Sequence, residues 1–174
     1  ERRSGAWPQD NEEAEGELCQ QLLQLGRVSL QDARAAILNL EEQHARRRAW
    51  VWAQLDQAPL ATALQHLAGL ARETEQALGG GTLPEMVDAY TDRGWKADAA
   101  VLDALAAVDR VDDVAAVKAA VSTLYRPWLD DTTRTFQTLA LSSEPQALRP
   151  DASILDVPKG TCILFSDALR FDAA

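Results

Sequence analysis

A short apolar run that ends in a carboxylate is the part of this sequence best suited to chemistry. Residues 161–166 form the run, and Asp167 follows it directly. A run of this length and apolarity predicts a buried strand. In open α/β sheets, ligands bind at the carboxyl ends of the strands. Asp167 is therefore placed like a ligand for a metal ion or a residue of a phosphate site, and a helix N-cap or a structural acid is the alternative.

Several enzyme classes place an aspartate after an apolar strand, and the surrounding sequence separates them. A nucleoside triphosphatase would need a Gly-rich Walker A loop ahead of the strand, and none precedes it here. The Asp-x-Asp pattern of haloacid-dehalogenase-like phosphatases is missing, because Asp167 is followed by Ala-Leu-Arg-Phe-Asp. Receiver domains place strands before their aspartate, whereas this chain predicts helices. The alkaline-phosphatase superfamily remains, in which the first strand ends in a metal-binding aspartate.

The residues around Asp167 narrow the choice of protein family further. The stretch Leu164-Phe-Ser-Asp-Ala-Leu-Arg-Phe-Asp172 resembles the opening of the PglZ domain, a member of that superfamily found in bacterial BREX phage-defence systems. Two earlier stretches, Val117-Lys-Ala-Ala and Leu124-Tyr-Arg-Pro-Trp-Leu129, are similar to the long region that precedes this domain. The resemblance implies a metal-dependent phosphohydrolase, either a phosphatase or a phosphodiesterase, that acts in phage defence.

The resemblance implies a role for Asp167 as one ligand of a divalent metal, with zinc expected and manganese or magnesium as alternatives. Arg170 would contact phosphate or instead pair with Asp172 or another aspartate, and Asp172 is expected to be structural. Ser166 does not occupy the position of the family's nucleophile. The nucleophile and the other ligands are expected beyond residue 174, so we predict no catalytic residue in this chain and no activity of its own.

The sequence is compatible with two descriptions of function. In the first, the chain is a piece of the phosphohydrolase, and its helical part is an interaction or docking region for other BREX-type defence proteins, with a phosphate ester as substrate of the whole protein. In the second, it is a helical scaffold or regulatory module whose parent has no hydrolase activity. In both, the protein is expected to be cytoplasmic, since its N-terminal residues do not have the pattern of a signal peptide.

Charge and composition exclude other classes. The 174 residues carry a net charge of −10, which argues against broad nucleic-acid binding. No apolar run is long enough to predict a membrane span. Arg46–Arg48 is interpreted as a solvated helix face, with a local patch for a partner or phosphate as the alternative. Cys19 and Cys162 lack the spacing of a zinc site, and His44 and His66 are interpreted as structural.

The elements that must position Asp167 are mostly helical. The predicted fold class is mainly α: a bundle-like helical domain over 1–141, a proline-bearing linker over 142–160, and the truncated start of an α/β phosphatase domain over 161–174. Within the first domain, residues 1–11 are expected to be loose. Helices are predicted over 12–25, from Leu30 to about Leu55, from Pro59, over 83–92, over 95–108, and from an N-cap at Asp112.

Glycines, a proline and a capping pattern give further predictions about where helices begin and end. Gly79–Gly81 follow a helix and lack the lysine of a phosphate-binding loop, so they predict a turn. Thr82 and Glu85 are spaced as a capping box for the next helix. Gly94 should end that helix, and Pro127 should kink or restart the last one.

Overall fold

The computed structural model describes residues 7–143 and Gly160. The described part is mainly helical, as predicted. Its α-helices are α1 (Pro8–Gln24), α2 (Leu30–His44), α3 (Val51–Gln54), α4 (Pro59–Glu73), α5 (Leu83–Ala89), α6 (Trp95–Ala106) and α7 (Val111–Ser142). Short 3₁₀ turns occupy Leu25–Arg27 and Ala45–Ala49, and a π-helical segment occupies Tyr90–Gly94. The predicted strand 161–166 and most of the predicted linker lie outside the described residues.

The first helix begins earlier than the sequence pattern indicated. α1 starts at Pro8 rather than at residue 12. A proline at the first helical position has no N–H to leave unpaired and its φ already suits a helix. A tertiary contact also stabilises this first turn of α1. The side chain of Asn11 is buried, and its Nδ2 donates a hydrogen bond to the backbone oxygen of Gln57 at 2.6 Å.

The prediction of one long helix from Leu30 to about Leu55 is wrong. Ser29 caps the start of α2, and its side chain accepts from the backbone N–H of Asp32. The α-helix then ends at His44 and tightens into the 3₁₀ turn Ala45–Ala49. The backbone is extended at Trp50, with φ −76° and ψ 157°. With the chain broken here, Arg47 reaches α1 and Arg48 reaches α4.

Helix α4 lies at the centre of the bundle, in contact with α1, α2, α6 and α7. Burying its apolar side chains is a main source of stability, because the hydrophobic effect scales with the apolar area removed from water. The apolar residues of α4 that are buried are Leu60, Ala61, Ala63, Leu64, Leu67, Ala68, Leu70 and Ala71.

Both ends of α4 are held by charged side chains from neighbouring helices. At its N-terminus, Glu15 of α1 accepts from the backbone N–H groups of Leu60 and Ala61, at 2.8 and 3.3 Å. At its C-terminus, Arg34 of α2 donates to the backbone oxygens of Ala71 and Thr74, each at 2.9 Å. An acid at the start of a helix and a base at its end both complement the helix dipole. These contacts fix the position of α4 along its axis.

Gly79–Gly81 form a connection without helix, and the capping box of Thr82 and Glu85 is present as predicted. Gly94 does not end a helix, which corrects the prediction. The π-helical segment joins α5 to α6, and Gly94 has helical dihedral angles within it. A Cβ at Gly94 would lie 2.8 Å from Cδ2 of Tyr90 and 3.0 Å from Cδ1 of Leu78. Glycine is therefore needed there for close packing rather than as a helix breaker.

Helix α7 runs through Pro127 as one element, so of the predicted kink or restart at this proline the restart does not occur. Pro127 is exposed, and its missing N–H costs the helix a single backbone hydrogen bond. The helix begins at Val111 with Arg110 as N-cap, rather than with Asp112. Asp112 lies in the first turn instead, where a carboxylate also favours the helix dipole. Among the helices of residues 7–143, none combines the length and the apolarity that a membrane span requires.

Candidate functional site

The residues predicted for metal and phosphate chemistry lie outside the described part of the chain. Asp167 and Arg170, with Ser166 and Asp172 around them, belong to residues 161–174. Within 7–143 and Gly160, no group of three or more His, Cys, Asp or Glu side chains could hold a metal ion. The features of residues 7–143 that bear on function are an apolar surface groove, a buried ion pair and an acidic cavity.

One surface of the bundle is an apolar groove of about 300 Å³. We call it the α5–α7 groove, because α5 and the C-terminal half of α7 form its walls. None of its lining side chains is charged, and Val87 and Phe136 on its walls are each 40% exposed. An uncharged concave surface of this kind suits apolar side chains of a partner. The lining residues are Leu78, Met86, Val87, Tyr90, Thr132, Thr133 and Phe136.

The wall of this groove at Tyr90 is held rigidly. The hydroxyl of Tyr90 donates to Asp98 Oδ2 at 2.6 Å, and the hydroxyl of Tyr125 donates to Asp98 Oδ1 at 2.5 Å. Asp98 thus ties the π-helical segment to α7 through two charge-assisted hydrogen bonds. Trp128 adds a third tie, since its Nε1 donates to the backbone oxygen of Gln76 in the α4–α5 connection at 3.1 Å. The groove is therefore largely preformed.

A second feature is a buried ion pair between α1 and the 3₁₀ turn after α2. Arg47 is 2% exposed, and its NH2 group lies 2.8 Å from Glu15 Oε1. The same group donates to Asn11 Oδ1 at 2.9 Å, and the guanidinium lies over the ring of Trp50, 5.7 Å from its centre. Burial raises the pKa of Glu15, against the lowering effects of the Leu60 backbone N–H and of Arg47.

This arrangement corrects the interpretation of Arg46–Arg48 as a solvated helix face. Arg47 is buried, and Arg48 pairs with Glu41 through two contacts of 2.9 and 2.5 Å while also donating to the backbone oxygen of Ala61. Arg46 alone of the three is exposed. The break after His44 is what rotates Arg47 and Arg48 inward. A helical reading of the sequence could not anticipate it, because no proline or glycine marks the position.

His44 belongs to the same contacts. Its Nδ1 lies 3.1 Å from NH1 of Arg47. Because arginine can only donate, Nδ1 accepts and the ring is neutral with its proton on Nε2. Burial and then the charge of Arg47 lower the pKa of His44. His66 differs, since its Nδ1 lies 3.6 Å from Asp103 Oδ2 on the half-exposed α4–α6 surface. Local spacing does not indicate this carboxylate, because Asp103 is distant from His66 along the chain.

The lowered pKa of His44 predicts a pH dependence of stability. The unfolded chain protonates His44 near 6.5, whereas the folded chain resists protonation to lower pH. Between these two pKa values the unfolded state binds more protons, so the free energy of unfolding should fall as pH drops below 6.5. Urea unfolding at pH 5 to 7.5 measures this slope. We expect His44→Gln, which keeps an acceptor and cannot titrate, to flatten it, and an unchanged slope would contradict the assignment.

A third feature is an open cavity of about 780 Å³ between α1 and the start of α7. Carboxylates dominate its lining, and Asp113 is buried there with its pKa raised chiefly by burial. Burial, followed by the charges of Asp113 and Asp112, also raises the pKa of the Cys19 thiol. Cys19 is thus a poor nucleophile and a poor metal ligand, because both roles need the thiolate.

Comparison with protein-family models, with curated proteins and with solved structures finds no match for this chain.

Proposed function

We propose that this chain is the helical part, together with the first residues of the catalytic part, of a metal-dependent phosphohydrolase of a bacterial phage-defence system. The resemblance of residues 164–172 to the opening of the PglZ domain supports the hydrolase. In this proposal the helical part is a docking region of a cytoplasmic protein. The α5–α7 groove is the observation that carries the docking role, because it is apolar, uncharged and built on a rigid frame.

The metal belongs to the longer protein in this proposal. The side chains of the described helices do not fit a divalent cation, since no three potential ligands converge there. Asp167 would supply one carboxylate ligand, and hard anionic oxygens suit zinc, manganese or magnesium. When bound, such a metal would polarise a phosphoryl oxygen. No step of the reaction is assigned to residues 7–143.

Activity of a protein extended beyond residue 174 tests the hydrolase. We expect it to hydrolyse a generic phosphate ester when zinc or manganese is added, and Asp167→Ala to abolish turnover because a metal ligand is lost. Asp172→Asn is the matched control and should retain activity, since that carboxylate is assigned a structural role. The 174-residue chain alone should show no turnover. Full activity of the Asp167→Ala protein would remove Asp167 from the metal site.

The second candidate is a helical scaffold or regulatory module whose parent is not a hydrolase. It shares the groove as its supporting observation, because a docking surface needs no catalytic partner. The activity measurement described above distinguishes the two candidates. An extended protein with no metal-dependent turnover, which still binds other defence proteins of its operon through the helical region, would favour the scaffold.

A further inference from the structure

We propose that the α5–α7 groove binds a segment of this same chain, residues 152–157 (Ala-Ser-Ile-Leu-Asp-Val), through Ile154, Leu155 and Val157. The inference rests on the docking role proposed above and names its occupant. Residues 152–157 would then be an intramolecular ligand of the helical domain. Their binding would position the residues around Asp167 relative to that domain.

The chemistry of the groove suits apolar side chains, here Ile154, Leu155 and Val157, while a charged neighbour such as Asp156 would stay in solvent. None of its lining side chains is charged, although the chain as a whole carries a net charge of −10. Val87 on one wall and Phe136 on the other each leave two fifths of their surface exposed. Covering them with apolar side chains would remove this surface from water, which is the dominant favourable term in association.

A second observation concerns a hydroxyl group on one wall of the groove. Thr132 lines the groove, and its Oγ1 is buried with no hydrogen-bond partner among the described residues. Buried hydroxyl groups are normally hydrogen-bonded. A polypeptide brings a backbone N–H and a backbone C=O with every residue, whereas a hydrocarbon chain brings neither. The unpaired hydroxyl therefore favours a peptide segment over a lipid tail.

The length of chain after α7 places a suitable segment within reach. α7 ends at Ser142, and Phe136 lies six residues earlier, about 9 Å along the helix axis. Residues 144–153 separate the described end of the chain from Ile154. They can span up to about 36 Å when extended, which exceeds the distance back along α7. A tethered segment also has an effective concentration of about millimolar, an advantage over any free partner.

The sequence within this length singles out residues 152–157. Ile154, Leu155 and Val157 stand together there, while the only other large apolar side chain of 144–160 is Leu148. Pro158 favours extended backbone at the residue before it, which leaves backbone groups able to pair with Thr132. Residues 161–166 are more apolar, but they belong to the strand of the catalytic part in the function proposed above.

Disulfide trapping in the 174-residue chain tests the contact. The background carries Cys162→Ser, and Cys19 stays because it is buried. Thiols introduced at Ser153 and at Val87 should form an intramolecular disulfide on mild oxidation. The control pairs the Ser153 thiol with one at Leu55, which is 57% exposed and does not line the groove. We expect the groove pair to give at least a several-fold higher yield, and Leu155→Asp to reduce it to the control level.

Other outcomes of this experiment would overturn the proposal. Equal yields for the two pairs would show that the segment has no preference for the groove. Disulfide-linked dimers that increase with protein concentration would identify a second copy as the occupant. Since the 174-residue chain is expected to have no turnover, neither result depends on whether the longer protein is a hydrolase.

A second measurement does not depend on disulfide geometry. A single thiol at Val87 should react with a thiol reagent several-fold faster when Leu155→Asp is present than when Leu155 is intact. Leu155 lies outside the described helices, so this change is not expected to unfold them, and circular dichroism checks that. Equal labelling rates would overturn the proposal even if the disulfide pairs were uninformative.

Discussion

Replacing Arg47 by alanine should lower the free energy of unfolding by about 3 kcal/mol at pH 7, because it leaves the Glu15 carboxylate buried without its partner. The loss should shrink as pH is lowered, since Glu15 already has a raised pKa and would neutralise by taking up a proton. Urea unfolding followed by circular dichroism at pH 7 and pH 5 measures both effects.

Two further variants identify the cause of this loss. Arg46→Ala removes the neighbouring exposed charge and should change stability by no more than about 0.5 kcal/mol. Combining Arg47→Met with Glu15→Gln removes both charges, while the Gln oxygen can still accept from the backbone N–H groups of Leu60 and Ala61. We expect the double variant to be more stable than Arg47→Met alone. If Arg47→Ala costs no more than Arg46→Ala, the buried pair does not stabilise the break after α2.

Replacing Leu64 by alanine should cost about 2–5 kcal/mol, the range found when buried leucines are truncated. Leu64 is completely buried on α4, the helix that contacts α1, α2, α6 and α7. The loss includes the transfer free energy of the deleted methyl groups and the cavity that they leave. Thermal and urea unfolding of the 174-residue chain measure it.

The same substitution at an exposed helical leucine is the control. Leu141 on α7 is 89% exposed, and Leu141→Ala should stay within about 0.5 kcal/mol of the parent. A Leu64→Ala protein as stable as Leu141→Ala would mean that α4 is not the centre of the folded domain. That result would also count against the groove as described, because Leu78 and Met86, which line it, belong to the same apolar core.

The apolar core and the groove are therefore connected parts of one structure. Asp98 fixes Tyr90 and Tyr125, and Gly94 allows Tyr90 and Leu78 to pack closely beside it. These contacts determine the shape of the groove wall before any partner binds. A preformed site pays less conformational entropy on binding than one that must be ordered, which suits a permanent docking surface.

Much of the helical architecture could be predicted from local sequence. Ser29 with Asp32, Thr82 with Glu85, and Pro59 each mark a helix start, and each is observed at that position. The reason is that caps and prolines act through backbone hydrogen bonds within a few residues. The buried apolar residues of α4 also follow helical spacing in the sequence, because they all face the same core.

Predictions failed where a distant residue decides the local conformation. The break after His44 brings Arg47 to Asn11 and Glu15, which lie 36 and 32 positions earlier in the chain and accept hydrogen bonds from it. Gly94 was interpreted as a breaker because glycine has a low helix propensity, whereas its role comes from the rings and side chains packed against it. Pro127 predicts a kink or a restart of the last helix; α7 does not restart there, since it continues through Pro127 as one element whose tertiary contacts outweigh one lost hydrogen bond.

The sequence by itself determined the mainly helical class, most helix starts, and the stretch around Asp167 on which the hydrolase proposal depends, because these are properties of neighbouring residues. Only the tertiary structure decided that Arg47 is buried against Glu15, that both ends of α4 are held by charges from α1 and α2, and that α5 and α7 enclose an uncharged groove. Each of these joins residues far apart in the chain, and local spacing carries no information about which distant side chains will meet.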